Sequence, residues 1–483
     1  MYLYIDTVSS TRTDMALLCL LPLQCFQTMT VVKLLEDIRR LTDTIEAREQ
    51  LPLDLQERNR DDLSDLEAQR SNARTQLNSL LDPMARLPLE IQSQIFCDVA
   101  SQPTPDPQQP PLIFLNICRL WRAIALNTPE LWTHLEIRLH PSGSKADYLD
   151  FCKNWIGRAG SWPLSLTLHG VVRLDAKTQE LVTCHQHHLG HLTLELSGYS
   201  FAEEGLMTRT ILLQGPFPVL KTLDVRSHGR LLLKTLNDWI DLLRAAPQLE
   251  MCSLENMIID WHIFGSFAEA PPTQPLILPC LQSLRLGNTQ HALHDLDTTD
   301  GATALILRYL TLPALHTLHL TVFDLIDAEF TAFLMRSSPP LRSLSMIVSS
   351  PLFMEAMRGI LQPVPTVISL QLIKTSVISP EMLLRVLESL DGVLPVLHTL
   401  TIYMRWGWGL NFGRLARFLH TRRTGQEVPL AVFRLYFAVD NAEMEYVGTD
   451  RDMLGEDILA AFRQLAEDGL EMHVGPRGRN LLF

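Results

Sequence analysis

The chain has no apolar run long enough to cross a bilayer. Its most apolar stretch, Met15–Phe26 (MALLCLLPLQCF), is short of the roughly 20 residues a membrane helix needs. The residues before it, Asp6, Arg12 and Asp14, form no basic cluster and make a poor secretory signal. Positive charge is also scarce. Lys and Arg number 41 against 54 Asp and Glu, a net charge of −13, which disfavours nucleic acid as the main partner. The eight cysteines are scattered from Cys19 to Cys280 without a C-x-x-C pair, and there is no N-x-[ST] sequon. Reduced thiols of a cytoplasmic or nuclear protein are expected.

Catalytic signatures are missing as well. There is no G-x-S-x-G, no G-x-x-x-x-G-K-[ST] and no H-E-x-x-H. The best metal candidate is Cys184-His185-Gln186-His187-His188, with His191 nearby, and its spacing fits no standard zinc site. It is expected to be a polar helix end. No enzymatic activity, cofactor or metal is therefore expected.

What the chain does have is organised. At 483 residues it is long enough for about three domains, or a small domain plus a repeat array. Residues 1–30 are expected to form a disordered or loosely packed leader, with Met29 an alternative start. Over residues 31–81, Leu34, Ile38, Leu41 and Ile45 make one apolar stripe, and Leu63, Leu66, Ala73, Leu77 and Leu80 make another, with Arg70 in the remaining heptad position. A helical hairpin or a short coiled coil is expected. Hairpin pairing is favoured because each helix holds only two to three heptads.

Residues 82–138 hold the most informative stretch, Leu87–Trp132. Leu87-Pro88 opens a helix in which Leu87, Ile91, Ile95 and Val99 recur every four residues, with Pro88 expected at the first helical position. A Pro-rich insert, 101–111, follows. A second helix is expected to carry Phe114, Ile117, Cys118, Trp121, Ile124 and Ala125 on one face, closed by Thr128 as an N-cap and by Pro129-Glu130-Leu131-Trp132.

After a connector, 139–163, the chain repeats itself. Seven segments follow the form P-x-L-x-x-L-x-L, starting at Pro218, Pro247, Pro279, Pro313, Pro339, Pro365 and Pro395, so successive starts lie 26 to 34 residues apart. Earlier strands around Leu164–Leu168 and Leu192–Leu196 lack the full form. Helical patterns such as Leu231–Ala245 lie between strands. The expected fold class is α/β: parallel strands inside and helices outside, stacked as a solenoid over 164–470 with a tail at 471–483.

These residues carry a resemblance. Leu87-Pro88, Glu90-Ile91, Ile95-Phe96, Cys118, Trp121-Arg122 and Pro129-x-Leu131-Trp132 resemble an F-box, and the repeats resemble irregular leucine-rich repeats. The whole layout looks like the large F-box families of mushroom-forming fungi. The resemblance implies a substrate receptor of a Skp–cullin–F-box ubiquitin ligase. In it Leu87, Pro88, Glu90, Ile91, Ile95 and Trp121 would meet a Skp-type adaptor, which links to a cullin, and the repeats would bind a protein substrate. The alternative is a non-degradative interaction scaffold built on the repeats. Substrate-facing candidates are the polar positions Lys221, Asp224, Glu250, Arg285, His316, His319, Arg342 and Gln371. Arg405, Trp406 and Trp408, set among glycines, are partner-binding candidates of the type that dominates interface hot spots.

Overall fold

A computed structural model describes residues 25–50, 60–100, 106, 108–138, 146–170, 176–196, 215–233, 236–259, 275–287, 306–322, 327–348, 351–374, 379–390, 392–404, 410–425, 428–437, 455–476, 480 and 482. Contacts divide the chain into two units, Met1–Trp132 and Thr133–Phe483. Among the described residues no helix is long and apolar enough to cross a membrane.

The first unit is helical. Helices α1 (Cys25–Glu49) and α2 (Arg60–Leu81) pack on each other as a hairpin, burying Val31, Leu41, Ile45 and Leu77. The two apolar stripes thus meet within one chain. Helix α1 begins at Cys25, inside the segment expected to be a leader.

A 3-10 turn, Pro83–Arg86, leads into α3 (Leu89–Val99). Pro88 is the N-cap of α3, one residue earlier than the sequence pattern placed it. The expected second helix is two: α4 (Phe114–Ile117) and α5 (Arg119–Leu126). Cys118, at φ −157° and ψ 171°, leaves helical geometry, and its Sγ accepts the Trp121 backbone N–H at 3.4 Å. A side chain that caps the next helix breaks the previous one. Thr128 does not act as an N-cap; its hydroxyl donates back to Ile124 O at 2.8 Å and lies 3.0 Å from Ser93 Oγ. The closing 3-10 turn, Pro129–Trp132, buries Trp132 completely, and its indole N–H donates to Ala125 O at 2.8 Å.

The second unit is α/β. Among the described residues its main sheet holds twelve parallel strands in chain order, with one excursion. The strands are β1 (His134–Arg138), β2 (Leu164–His169), β3 (Leu189–Leu196), β4 (Thr222–Leu233), β5 (Met251–Ile259), β7 (Ser283–Leu286), β9 (Thr317–Val322), β10 (Ser343–Val348), β11 (Ser369–Lys374), β12 (Thr399–Met404), β13 (Val432–Phe437) and β14 (Glu471–Pro476). The excursion is a two-stranded parallel sheet of β6 (Leu276–Ile277) and β8 (Leu310–Thr311). The intervening helices are α6 (Ala146–Ala159), α7 (Ala176–His185), α8 (Leu236–Ala245), α9 (Asp327–Ser337), α10 (Pro351–Leu361), α11 (Pro380–Ser389), α12 (Phe412–Thr424) and α13 (Glu456–Glu467).

The motif explains the rung. Every one of the seven P-x-L-x-x-L-x-L segments starts its strand at the fifth residue, and all three of its apolar positions are buried. In six of them the residue before Pro accepts the N–H of the third motif residue, as Ala246 does from Leu249 and Leu394 from Leu397. Pro therefore sits at the second position of a β-turn, where its fixed φ is preorganised. The Pro339-Pro340 segment departs from this: Leu341 N–H donates to Pro339 O.

Register makes the rungs continuous. One buried ladder runs Leu135, Leu166, Leu192, Leu223, Cys252, Leu284, Leu318, Leu344, Leu370, Leu400, Phe433, Met472. A second runs beside it from Ile137 through Leu320 to Val474. The helices pack on the ladder side. There Ile156, Leu181 and Val182 line the same small cavity as Leu135 and Leu166, and Trp155 donates to His134 O at 3.0 Å. Arginines staple helices to neighbouring turns. Arg422 is buried and donates to Leu390 O and Leu394 O, and Arg336 reaches Leu307 O and Leu310 O.

The sheet extends past the expected solenoid limits of 164 and 470 at both ends. β1 and β14 each add a rung, and α6 lies in the expected connector. β1 follows the turn Pro129-Glu130-Leu131, closed by the Leu131 N–H to Thr128 O bond, but one extra residue before Leu135 and Ile137 breaks the motif spacing, and β14 has no preceding Pro, so the motif did not reveal either. Beyond β14, Asn480 Oδ1 accepts the Val474 N–H at 3.1 Å and its Nδ2 donates to Met472 O at 2.9 Å.

Ladder positions should dominate stability. Leu370→Ala is expected to cost about 2–5 kcal/mol, whereas the neighbouring open-face change Gln371→Ala should stay within about 0.5 kcal/mol. Urea unfolding of the two variants checks this.

Candidate functional site

The site begins with a pinned turn. Asp82 accepts Met84 N–H at 2.9 Å through one oxygen and the Trp121 indole N–H at 2.9 Å through the other. Gln92 donates to Met84 O and Leu87 O, each at 2.7 Å. Trp121 lies over Phe96 and Phe114 at centroid distances of 5.0 and 5.9 Å.

These contacts decide which face of α3 points inward. Gln92 and Phe96 are buried, with Ala100 following. The stripe with the strongest apolar periodicity points the other way. Leu87, Leu89, Ile91 and Val99 are 37%, 56%, 48% and 57% exposed. Pro88 and Glu90 are exposed and Ile95 is half-buried. The structure thus brings Leu87, Pro88, Glu90, Ile91 and Ile95 together along one turn and helix. Trp121 is placed apart, as a half-buried member of the aromatic core with its polar atom engaged. Each large apolar side chain left in water forgoes about 1.5–3 kcal/mol of burial. A row of them on one helix has the character of an interaction surface.

The open face of the sheet is the second candidate, and it comprises separate files of side chains. Asp224, Arg285, His319 and Gln371 share the mid-strand file, paired through one register. Lys221, Glu250, His316 and Arg342 lie one file earlier, in the turns before the strands. From β1 to β7 this face is charged and paired with itself. His169 lies 3.0 Å from Glu136 and 2.5 Å from Glu195. Arg226 meets Asp224 at 2.6 Å, and Arg285 meets the buried Glu255 at 3.0 Å. From β10 to β14 it turns apolar and aromatic: Ile347 and Ile373 pack with Tyr403, which stacks on Tyr436 at 5.0 Å. Tyr436 in turn meets His473 at 4.7 Å.

The remaining candidates are quickly placed. Cys184 is exposed in the last turn of α7, which ends at His185; His187 and His188 lie in the turn after it, and burial lowers the His185 pKa, with His188 adding to the effect. Among the described residues no three His, Cys, Asp or Glu side chains converge to hold a metal ion. Burial pushes the Cys152 and Cys252 thiols up to about 12, which removes them as nucleophiles. Arg405, Trp406 and Trp408 lie outside the described residues. The sequence pattern did not single out Asp82 or Gln92. The signal was a polar residue at 92, in helical step with Phe96.

His319 offers a pH test of the open face. Burial, and then the nearby Arg285 cation, push its pKa from 6.5 down to about 4. The unfolded chain therefore takes up the proton first as pH falls. His319 contributes no penalty above about pH 6.5 and a growing one down to about pH 4. His319→Gln should remove a pH-dependent loss on the order of 2–3 kcal/mol. Unfolding of both proteins at pH 7 and near pH 4 measures it.

No protein-family model matches this sequence, and no curated protein is detectably similar to it.

Proposed function

We propose that the chain is a substrate receptor of a Skp–cullin–F-box ubiquitin ligase. In this reading residues 82–132 are an F-box, and the parallel array is a leucine-rich-repeat solenoid that binds a protein substrate. The chain itself performs no chemistry and works in the cytoplasm or nucleus. One observation carries the proposal: the strongest apolar stripe of the small helical module, Leu87 to Val99, points into solvent while Gln92 and Phe96 fill the core position. A helix that exposes its apolar stripe is built for a partner groove.

Support also comes from the division of labour in the sequence. A small handle is followed by a long array whose open face offers charged rungs and aromatic rungs in series. Loss of contact surface without loss of fold is the expected behaviour of the handle. Ile91→Glu should leave thermal stability unchanged, because Ile91 is 48% exposed. It should weaken capture of a purified Skp adaptor by the full chain more than about 100-fold, as expected for a truncated or charged hot spot. Failure of the folded wild-type chain to bind the adaptor would overturn the proposal. If the adaptor binds but partner half-life is unchanged by the chain, the scaffold reading replaces it.

A further inference from the structure

We infer that Gln92 is a positioning residue that holds the Leu87–Pro88 turn in its docking shape; this rests on the adaptor reading above. Gln92 is 6% exposed on the core side of α3, in step with Phe96. A buried amide is costly unless its hydrogen bonds are made. An aliphatic side chain would fill the space without that demand, so the distinctive contribution of Gln92 is its pair of donated bonds. Nε2 bonds Met84 O and Leu87 O, both at 2.7 Å, and so spends both of its protons.

The two carbonyls bracket the segment that turns outward. Met84 O also accepts the Leu87 N–H at 3.1 Å, so it is held from the turn and from the helix at once. Asp82 secures the other end of the 3-10 turn through Met84 N–H, and ties it to Trp121 in the aromatic core. Leu87, Pro88, Leu89 and Ile91 then project from a backbone fixed on both sides. An interface ordered before binding loses less conformational freedom when it docks. Gln92 touches no partner in this account. It acts through the carbonyl of Leu87.

The test compares full-length wild type, Gln92→Glu, Gln92→Leu and Gln92→Lys, with a purified Skp adaptor as the probe. Glu keeps the shape but carries at most one proton and cannot supply both bonds; Leu keeps the bulk; Lys can donate to both carbonyls. Glu and Leu should weaken adaptor binding on the order of tenfold, the size expected for two lost neutral hydrogen bonds, and Lys should retain most of the affinity. Thermal midpoints are recorded to identify any variant that fails to fold. Amide exchange at Leu87 supplies a readout that global destabilisation would not single out: it should accelerate in Glu and Leu at temperatures where α3 stays protected. Equal affinity and equal Leu87 exchange in all four proteins would overturn the inference and leave the adaptor reading intact. A folded wild type that does not bind the adaptor would overturn the adaptor reading and this one with it.

Discussion

The second unit depends on one constraint, the register that keeps the ladder positions of consecutive parallel strands side by side, with shifts only at Leu164/Ser165 and at Arg226/Leu231 among the described residues. A parallel strand has no hairpin partner to set its alignment, so the connection and the side-chain pattern must do it. In the seven motif rungs the Pro segment delivers the chain to the sheet at the same residue, and the N–H groups of the next rung meet the same carbonyl of the previous one. Gln282 and Ser283 donate to Glu250 O, and Ile368 and Ser369 donate to Arg342 O, in the same arrangement. Slip by one residue would send the leucine ladders into water and the charged file into the core. The helices, the arginine staples and the open face all inherit their positions from this alignment.

That constraint also explains what was legible in the sequence. Strand position could be read because the turn chemistry and the period-two leucines lie in one eight-residue window. The rung at His134–Arg138 was hidden because one extra residue separates its Pro129 turn from its apolar positions, and the rung at Glu471–Pro476 because no Pro precedes it. Files of open-face residues were misgrouped for a related reason. Lys221 and Asp224 look equivalent as polar residues between leucines, yet one precedes the strand and the other sits in its middle. The break at Cys118 depends on a sulfur cap of modest strength, its Sγ accepting the Trp121 N–H. Helical periodicity continues straight through it and gives no warning.

In the helical module, sequence and structure differ over direction. Four-residue apolar spacing identified α3 correctly and would ordinarily mark its buried side. The inward side is instead chosen by Phe96, which stacks on Phe114 at 4.3 Å, and by the amide of Gln92. Two aromatic contacts and two bonds outweigh a longer aliphatic row because the module is too small to bury both faces of the helix. The side of α3 left over is the one the motif made conspicuous.

The amide of Asn480 has a consequence for the array as a whole. Each parallel rung offers its successor the same backbone invitation, and that invitation carries no count. A sheet grown by such repetition stops only where something takes up the last offer without passing it on. One carboxamide placed against Met472 and Val474 does so, accepting and donating as a thirteenth strand would while having no far edge of its own. Asn480 thus occupies two outward-facing backbone groups of β14 that another strand would otherwise use.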